Sequence, residues 1–189
     1  MAASNAAGTS AITNNGELVL THSKAVKSNN IVNNGKLIVE SESEASPSEF
    51  YVGSKEAQGL VGGNLTNTGE IYLGRDGKIS GEKLVVNGNY IGGTPNNPGV
   101  IYVDTDPATQ KTDMLVVHGS TSGKTNVVFR NNDKWGGFEL EGIEIVHVDG
   151  DSTNDAFAAD PMESGAYVYR LKKVRGERMS ASIGICRAI

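Results

Sequence analysis

Asn14-Asn15-Gly16-Glu17-Leu18-Val19-Leu20 returns as Asn33-Asn34-Gly35-Lys36-Leu37-Ile38-Val39 and as Asn67-Thr68-Gly69-Glu70-Ile71-Tyr72-Leu73, with a shorter copy at Val86-Asn87-Gly88-Asn89-Tyr90-Ile91. Each copy is a polar corner followed by a short strand of alternating apolar residues, and the glycines are 19, 34 and 19 residues apart. Repetition near 20 residues is the mark of a solenoid, in which one coil cannot bury its apolar face alone. Asn-Gly is also a hairpin signal. A hairpin needs a matching strand before its turn, and the arms before Asn14 and Asn33 hold only Ile12 and Ile31-Val32. The repeat is therefore preferred.

Strands are predicted at Glu17–Thr21, Lys36–Glu40, Glu70–Leu73, Lys83–Val86, Val100–Asp104, Met114–His118, Asn126–Arg130, Ile143–Val148 and Ala166–Lys172. Leu18/Leu20, Leu37/Val39, Ile71/Leu73 and Leu84/Val86 each place two aliphatics on one face. Stacked coil on coil, they would form aliphatic ladders inside a parallel β-helix. The corner glycines are expected to supply positive φ. Ser41-Glu42-Ser43-Glu44-Ala45-Ser46-Pro47-Ser48, in the 34-residue gap, reads as a solvated loop.

Composition agrees with a narrow core. The 189-residue chain is 38% hydrophobic and 6% aromatic, with 24 glycines. A net charge of −5 argues against nucleic acid or an anionic membrane as partner. The single cysteine, Cys186, excludes an internal disulfide. No run approaches the ~20 apolar residues of a spanning helix, and Met1-Ala2-Ala3-Ser4-Asn5 lacks the features of a signal peptide.

From Gly88 onward strands lengthen and aromatics gather. Leu84-Val85-Val86-Asn87-Gly88-Asn89-Tyr90, then Gly99-Val100-Ile101-Tyr102-Val103-Asp104-Thr105, then Thr112-Asp113-Met114-Leu115-Val116-Val117-His118-Gly119 follow in order. Gly123-Lys124-Thr125-Asn126-Val127-Val128-Phe129, Leu140-Glu141-Gly142-Ile143-Glu144-Ile145-Val146, Ala156-Phe157 and Gly165-Ala166-Tyr167-Val168-Tyr169-Arg170-Leu171 complete the succession. It resembles the pertactin-like C-terminal passenger region of type V autotransporters, over about Lys83 to Lys173. The resemblance implies a right-handed β-helix exported through a C-terminal outer-membrane barrel, with this region acting as an intramolecular chaperone.

On this basis residues 1–82 are expected to be β-helix rungs, 83–173 the autochaperone cap, and 174–189 an out-of-frame or disordered tail. After Lys173 such proteins continue into a Trp-Tyr-Leu strand, which a shifted frame of Ala181 through Ala188 would permit. In that case Cys186 and the basic group Lys172, Lys173, Arg175 and Arg178 carry no evolved role. Trp135, Phe138, Tyr167, Tyr169 and Leu171 are the side chains expected to form the lid.

No catalytic, cofactor or metal site is expected. His22, His118 and His147 are isolated along the chain. Asp149-Gly150-Asp151-Ser152-Thr153-Asn154-Asp155 imitates the start of a calcium loop, but Asn154 and Asp160 stand where the glycine and bidentate glutamate belong. Arg75-Asp76, Asp104, Asp106 and Asp113 are the carboxylate-rich candidates for polysaccharide cleavage. The expected role is a non-enzymatic, monomeric passenger fragment at the cell surface. Its expected partners are its own outer-membrane barrel and a host-cell ligand met through the upstream passenger. A self-standing adhesin, a polysaccharide-cleaving enzyme and a trimeric phage-type fibre are the alternatives.

Overall fold

A computed structural model describes residues 11–21, 30–41, 49–53, 63–75, 81–106, 109, 111–131, 143–164, 167–174 and 182–183. The described residues contain strands and no helix. The chain winds through three faces per coil. The first coil supplies β1 (Ile12–Asn14) and β2 (Glu17–Thr21), and the second β3 (Ile31–Asn33), β4 (Lys36–Glu40) and β5 (Glu49–Val52). The third holds β6 (Leu65–Asn67), β7 (Glu70–Leu73) and β8 (Lys83–Val86). The fourth holds β9 (Tyr90–Ile91), β10 (Gly99–Asp106), β11 (Lys111–Thr112) and β12 (Met114–Val117). The fifth holds β13 (Thr121–Ser122), β14 (Thr125–Asn131) and β15 (Val146–Val148), and the sixth β16 (Phe157–Ala158). Two antiparallel pairs follow, β17 (Met162–Ser164) with β18 (Tyr167–Tyr169), and β19 (Lys173–Val174) with β20 (Ser182–Ile183).

Successive coils pair in parallel along all three faces, in the orders β1-β3-β6-β9-β13, β2-β4-β7-β10-β14-β16 and β5-β8-β12-β15. This is the expected parallel β-helix. The hairpin alternative fails because the arm before each corner pairs with the next coil's arm, as Ile12 does with Ile31. Register builds the aliphatic columns directly. Leu18, Leu37, Ile71, Ile101 and Val127 align on one face. Phe50, Leu84, Leu115 and Val146 align on another. From Leu37 onward all of these are buried, and each contributes roughly 1.5–3 kcal/mol of burial.

Four predicted strands match the observed limits, Glu17–Thr21, Lys36–Glu40, Glu70–Leu73 and Lys83–Val86. Two features of the repeat are corrected. Gly88 does not stack on Gly69. The residue in line with Glu70 is Val100, so the first corner continues at Gly99. Gly88 instead belongs to the corner between the third and first faces, where its N–H bonds Gly63 O and Gly119 N bonds Gly88 O. Two different corners therefore share the spelling Asn-Gly. The second correction concerns the 34-residue gap. It contains β5, a third-face strand whose Phe50 and Val52 are fully buried; of the predicted loop, Ser41 is described and 42–48 lie outside the described residues.

The corner glycines also serve a different need from the one expected. Gly35 and Gly69 are absent from the positive-φ glycines. A Cβ on Gly35 would lie 2.2 Å from Gly16 O, and one on Gly69 2.2 Å from Gly35 O. These positions are glycine because adjacent corners touch backbone to backbone. Gly35→Ala should therefore push two coils apart and lower stability by about 2 kcal/mol, read from the urea midpoint at constant m. An unchanged midpoint would show that the corners are not in contact.

Candidate functional site

The Asn-x-Gly corner carries one side chain inward and one outward. The inward residues form a buried chain: Asn14 Nδ2 donates to Asn33 Oδ1 at 2.7 Å, and Asn33 Nδ2 to Asn67 Oδ1 at 2.8 Å. Each Nδ2 also donates to a carbonyl of the following coil, Lys36 O, Glu70 O and Val100 O in turn. A carbonyl only accepts, so the orientation of every amide is fixed. The outward residues Asn15, Asn34 and Thr68 form a parallel, exposed chain. A third series precedes the first-face strands. Asn30, Asn64 and Asn89 accept through Oδ1, and Ser120 through Oγ, from the backbone N–H of Asn64, Asn89, Ser120 and Asp151 respectively.

The inward chain ends in the fourth coil. Asn67 Nδ2 meets the Tyr90 hydroxyl at 3.4 Å, and that hydroxyl bonds Thr125 Oγ1 at 2.9 Å. Tyr90 is fully buried, and its ring stacks near Phe157 at 5.8 Å between centroids. Burial pushes its phenol up to about 12. Met162 and Tyr169 are buried in the same core, with Phe129, Phe157, Ala159 and Leu171 packed against it. Of the residues expected to form a lid, Tyr169 is buried in this core and Leu171 packs against it. Tyr167 lies in β18, and Trp135 and Phe138 lie outside the described residues. Tyr90 and Phe157 were not foreseen. The signal for Tyr90 was available, since an aromatic directly follows the corner Asn87-Gly88-Asn89 on a strand's inward position.

The carboxylates considered for glycan cleavage are turned inward. Asp104, Asp106 and Asp113 are each at most 1% exposed. Asp113 accepts the backbone N–H groups of Glu82 (2.9 Å) and Asp104 (3.1 Å), tying the third-coil and fourth-coil corners together. Burial first, and then the Asp104 charge, push its carboxyl up to about 8. Asp104 pairs with Arg130 Nε at 2.7 Å. Arg130 Nη2 donates to Leu73 O (2.7 Å) and Gly74 O (2.8 Å), so one side chain of the fifth coil grips the fourth and the third. Its guanidinium also sits 5.8 Å and 6.0 Å from the centroids of Tyr72 and Tyr102, which stack 4.3 Å apart. Arg75 bridges Glu17 and Glu40 on the surface, and Asp76 lies outside the described residues.

Two of the three histidines, His118 and His147, meet in space, and His22 lies outside the described residues. Asp149 joins His118 Nδ1 at 2.7 Å and His147 Nε2 at 3.0 Å, while His147 Nδ1 meets Glu144 at 2.8 Å. Burial opposes the charged imidazole of His147, but the bonds to Glu144 and Asp149 outweigh it and raise its pKa. Burial likewise opposes the Asp149 carboxylate, and the two histidines outweigh it and lower its pKa. Asp155 turns away to Lys124. Asp149 and Asp155 therefore have separate partners, and among the described residues no group of His, Cys, Asp or Glu is arranged to hold a metal ion.

Comparison with known proteins agrees with this architecture. The family described as Autochaperone Domain Type 1 matches residues 61–171, beginning upstream of the Lys83 start of the sequence resemblance. YuaQ of Escherichia coli K12 is 38% identical over 121 residues, covering 62% of this chain and 8% of that protein. The autotransporter adhesin AIDA-I of Escherichia coli is 42% identical over 62 residues, covering 33% of this chain and 5% of that protein. The adhesin autotransporter BmaC of Brucella suis is 38% identical over 117 residues, covering 57% of this chain and 3% of that protein. The chain thus spans a small fraction of the length of the relatives it matches, and its match associates it with autotransporter passengers.

Two outcomes follow from the polar groups. Arg130→Met removes a partner of the fully buried Asp104 and the bonds to Leu73 O and Gly74 O; it should cost about 2–4 kcal/mol in urea unfolding, and a loss below ~0.5 kcal/mol would mean that the grip is idle. Asp113 and His147 both have raised folded pKa values, so their contributions are complete at low pH. Asp113's is lost as pH rises from about 4 to about 8, and His147's as pH rises through its folded value above 6.5. Asp149, lowered, contributes above its unfolded value near 3.8 and loses that contribution as pH falls. The urea midpoint should therefore be highest near pH 4 and fall by pH 9; a midpoint rising over that interval would contradict the assignment.

Proposed function

We propose, since this chain belongs to the Autochaperone Domain Type 1 family, that it is the folding template of an autotransporter passenger. Its C-terminal coils would order first, and upstream coils would then add to them during secretion across the outer membrane. The finished column would form the surface stalk of an adhesin. The observation that carries this reading is the polarity of the column. Its C-terminal end is closed by Tyr90, Phe157, Met162 and Tyr169 and gripped by Arg130, while every inward amide donates its N–H toward that end.

The physical reason is nucleation. Ordering a residue costs ~1–2 kcal/mol of backbone entropy, and a lone coil has no neighbour to supply its interstrand bonds. The closed end escapes this problem in three ways. Its strands are long, eight residues in β10 and seven in β14. A single arginine fixes three coils in register. Its core is thick enough to hold a buried tyrosine against a phenylalanine. An upstream coil such as the second, with strands of three, five and four residues, then has a finished surface to join.

A role of this kind is non-enzymatic and needs no cofactor. The partner it implies is the passenger's own C-terminal outer-membrane barrel, which would hold the closed end near the exit. Any host-cell ligand would be met by the upstream passenger, as the adhesin names of two relatives suggest. The chain would act as a monomer, and its acidic balance suits neither nucleic acid nor an anionic surface.

Pulse-labelled hydrogen exchange during refolding from urea tests the order. Amides of β12, β14 and β15 should become protected before those of β2 and β4. Protection of β2 and β4 first, or of all coils together, would remove the template.

A further inference from the structure

We infer that Tyr90, held by Thr125, is the specificity-determining residue of the template, and that the coil it selects is one bearing a primary carboxamide at the inward corner position. This deepens the template reading and rests on it.

The inference begins with a missing side chain. Thr66 pairs with Ile91, so the fourth-coil residue in line with Asn67 is Gly92. A Cβ there would lie 2.6 Å from both Lys124 O and Thr125 Oγ1. The asparagine chain therefore cannot continue by another asparagine. Its next member comes from two residues earlier. Tyr90 stands in line with the core residue Leu65, and its longer side chain carries a hydroxyl to the place an amide would have filled.

A hydroxyl differs from an amide in one useful way. It has a single proton and two lone pairs. Thr125 Oγ1 lies 2.9 Å from it, and Asn67 Nδ2, which has only protons to offer, lies on its other side. Tyr90 accepts from Asn67 and shares a hydroxyl–hydroxyl bond with Thr125. That fixes Asn67 with Nδ2 toward the closed end, where Val100 O also accepts it, and with Oδ1 facing upstream. Asn33 and Asn14 share that orientation, each with a further carbonyl acceptor, Glu70 O and Lys36 O. Each growing end thus offers an amide oxygen and a backbone carbonyl, both acceptors. Asn33 satisfies both, giving Nδ2 to Asn67 Oδ1 and to Glu70 O. An aliphatic side chain would leave both buried acceptors unmet, and an aspartate would set a carboxylate against them.

Tyr90 acts on the incoming coil through Asn67, so the test must separate selection from support. With Tyr90→Phe, Asn67 loses one of the two acceptors that orient it, so turning its amide over to offer Nδ2 to a carboxylate at position 33 forfeits only the bond to Val100 O. The experiment refolds the full chain from urea at pH 7 and follows protection of the β4 amides by pulse-labelled exchange. Four proteins are compared: the unaltered chain, Asn33→Asp, Tyr90→Phe and the double variant. Asn33→Asp should slow protection of β4 about tenfold in the native background and less than threefold in the Tyr90→Phe background.

An equal penalty in both backgrounds makes Tyr90 a packing residue and overturns the inference, while C-terminal coils that still order first leave the template standing. β4 protected ahead of β12 and β15 in the unaltered chain overturns both. Should Tyr90→Phe fail to fold, Thr125→Val removes the same anchor from outside the ring stack, and the same two penalties decide.

Discussion

Parallel stacking makes each coil the hydrogen-bonding partner of the next, and every other feature of this molecule answers to that constraint. A coil has few partners within itself. Lys36 N bonds Gly16 O, Glu70 N bonds Gly35 O and Val100 N bonds Gly69 O, one link per coil at a single corner. Corners are where a parallel fold is most exposed to unmet backbone groups, because the chain changes direction there and the ladder lapses. Three series of asparagine, threonine and serine side chains cover that lapse. The inward series is buried, which makes an absent member costly, whereas the exposed Asn15-Asn34-Thr68 series has water as an alternative.

A column built this way must also stop. An unpaired final coil would be an open edge inviting further chains. The C-terminal end abandons each repeating device in turn. Gly92 replaces the inward asparagine, Tyr90 ends the series with a hydroxyl, and β17 with β18 replaces parallel pairing by an antiparallel pair. Buried charge enters at the same place. Arg130, Asp104 and Glu82 are expensive to desolvate, and an apolar set of the same shape would stabilise as well. What the ionic set adds is register, since guanidinium and carboxylate meet in few geometries.

The column was readable in the sequence because alternation of aliphatics is local. Leu18/Leu20, Leu37/Val39, Ile71/Leu73 and Leu84/Val86 announce strand and face within four residues. Strands without such alternation stayed hidden. β1, β3 and β6 are three residues long, and β5 follows a run of serines and glutamates that reads as loop. The spelling Asn-Gly marks two corners, and only pairing shows that Gly88 belongs to the second. Residues of the closed end were harder still. Arg130, Asp104 and Leu73 lie up to 57 positions apart, and His118 meets Asp149 across 31; no local pattern links them. The core positions of Tyr169 and Leu171 were legible through aromatic and aliphatic character near the end of the matched segment.

The coil length is where the constraint shows most clearly what is held and what is free. The inward asparagines are 19 and then 34 residues apart, and later corners are linked across 25 and 31. A stack that tolerates steps this unequal cannot be keeping register by counting residues. Length is absorbed between the corners, where the closure entropy of a longer segment grows only slowly with size. Register must then reside in contacts that recur whatever the step, and the recurring ones are the corner amides, the glycine approaches and the aliphatic columns. Aliphatic columns alone would permit slippage between similar residues. The amide chain does not, because each member has one donor to place and one acceptor to meet. A template that fixes the direction of that chain therefore fixes the alignment of every coil added to it, at any coil length.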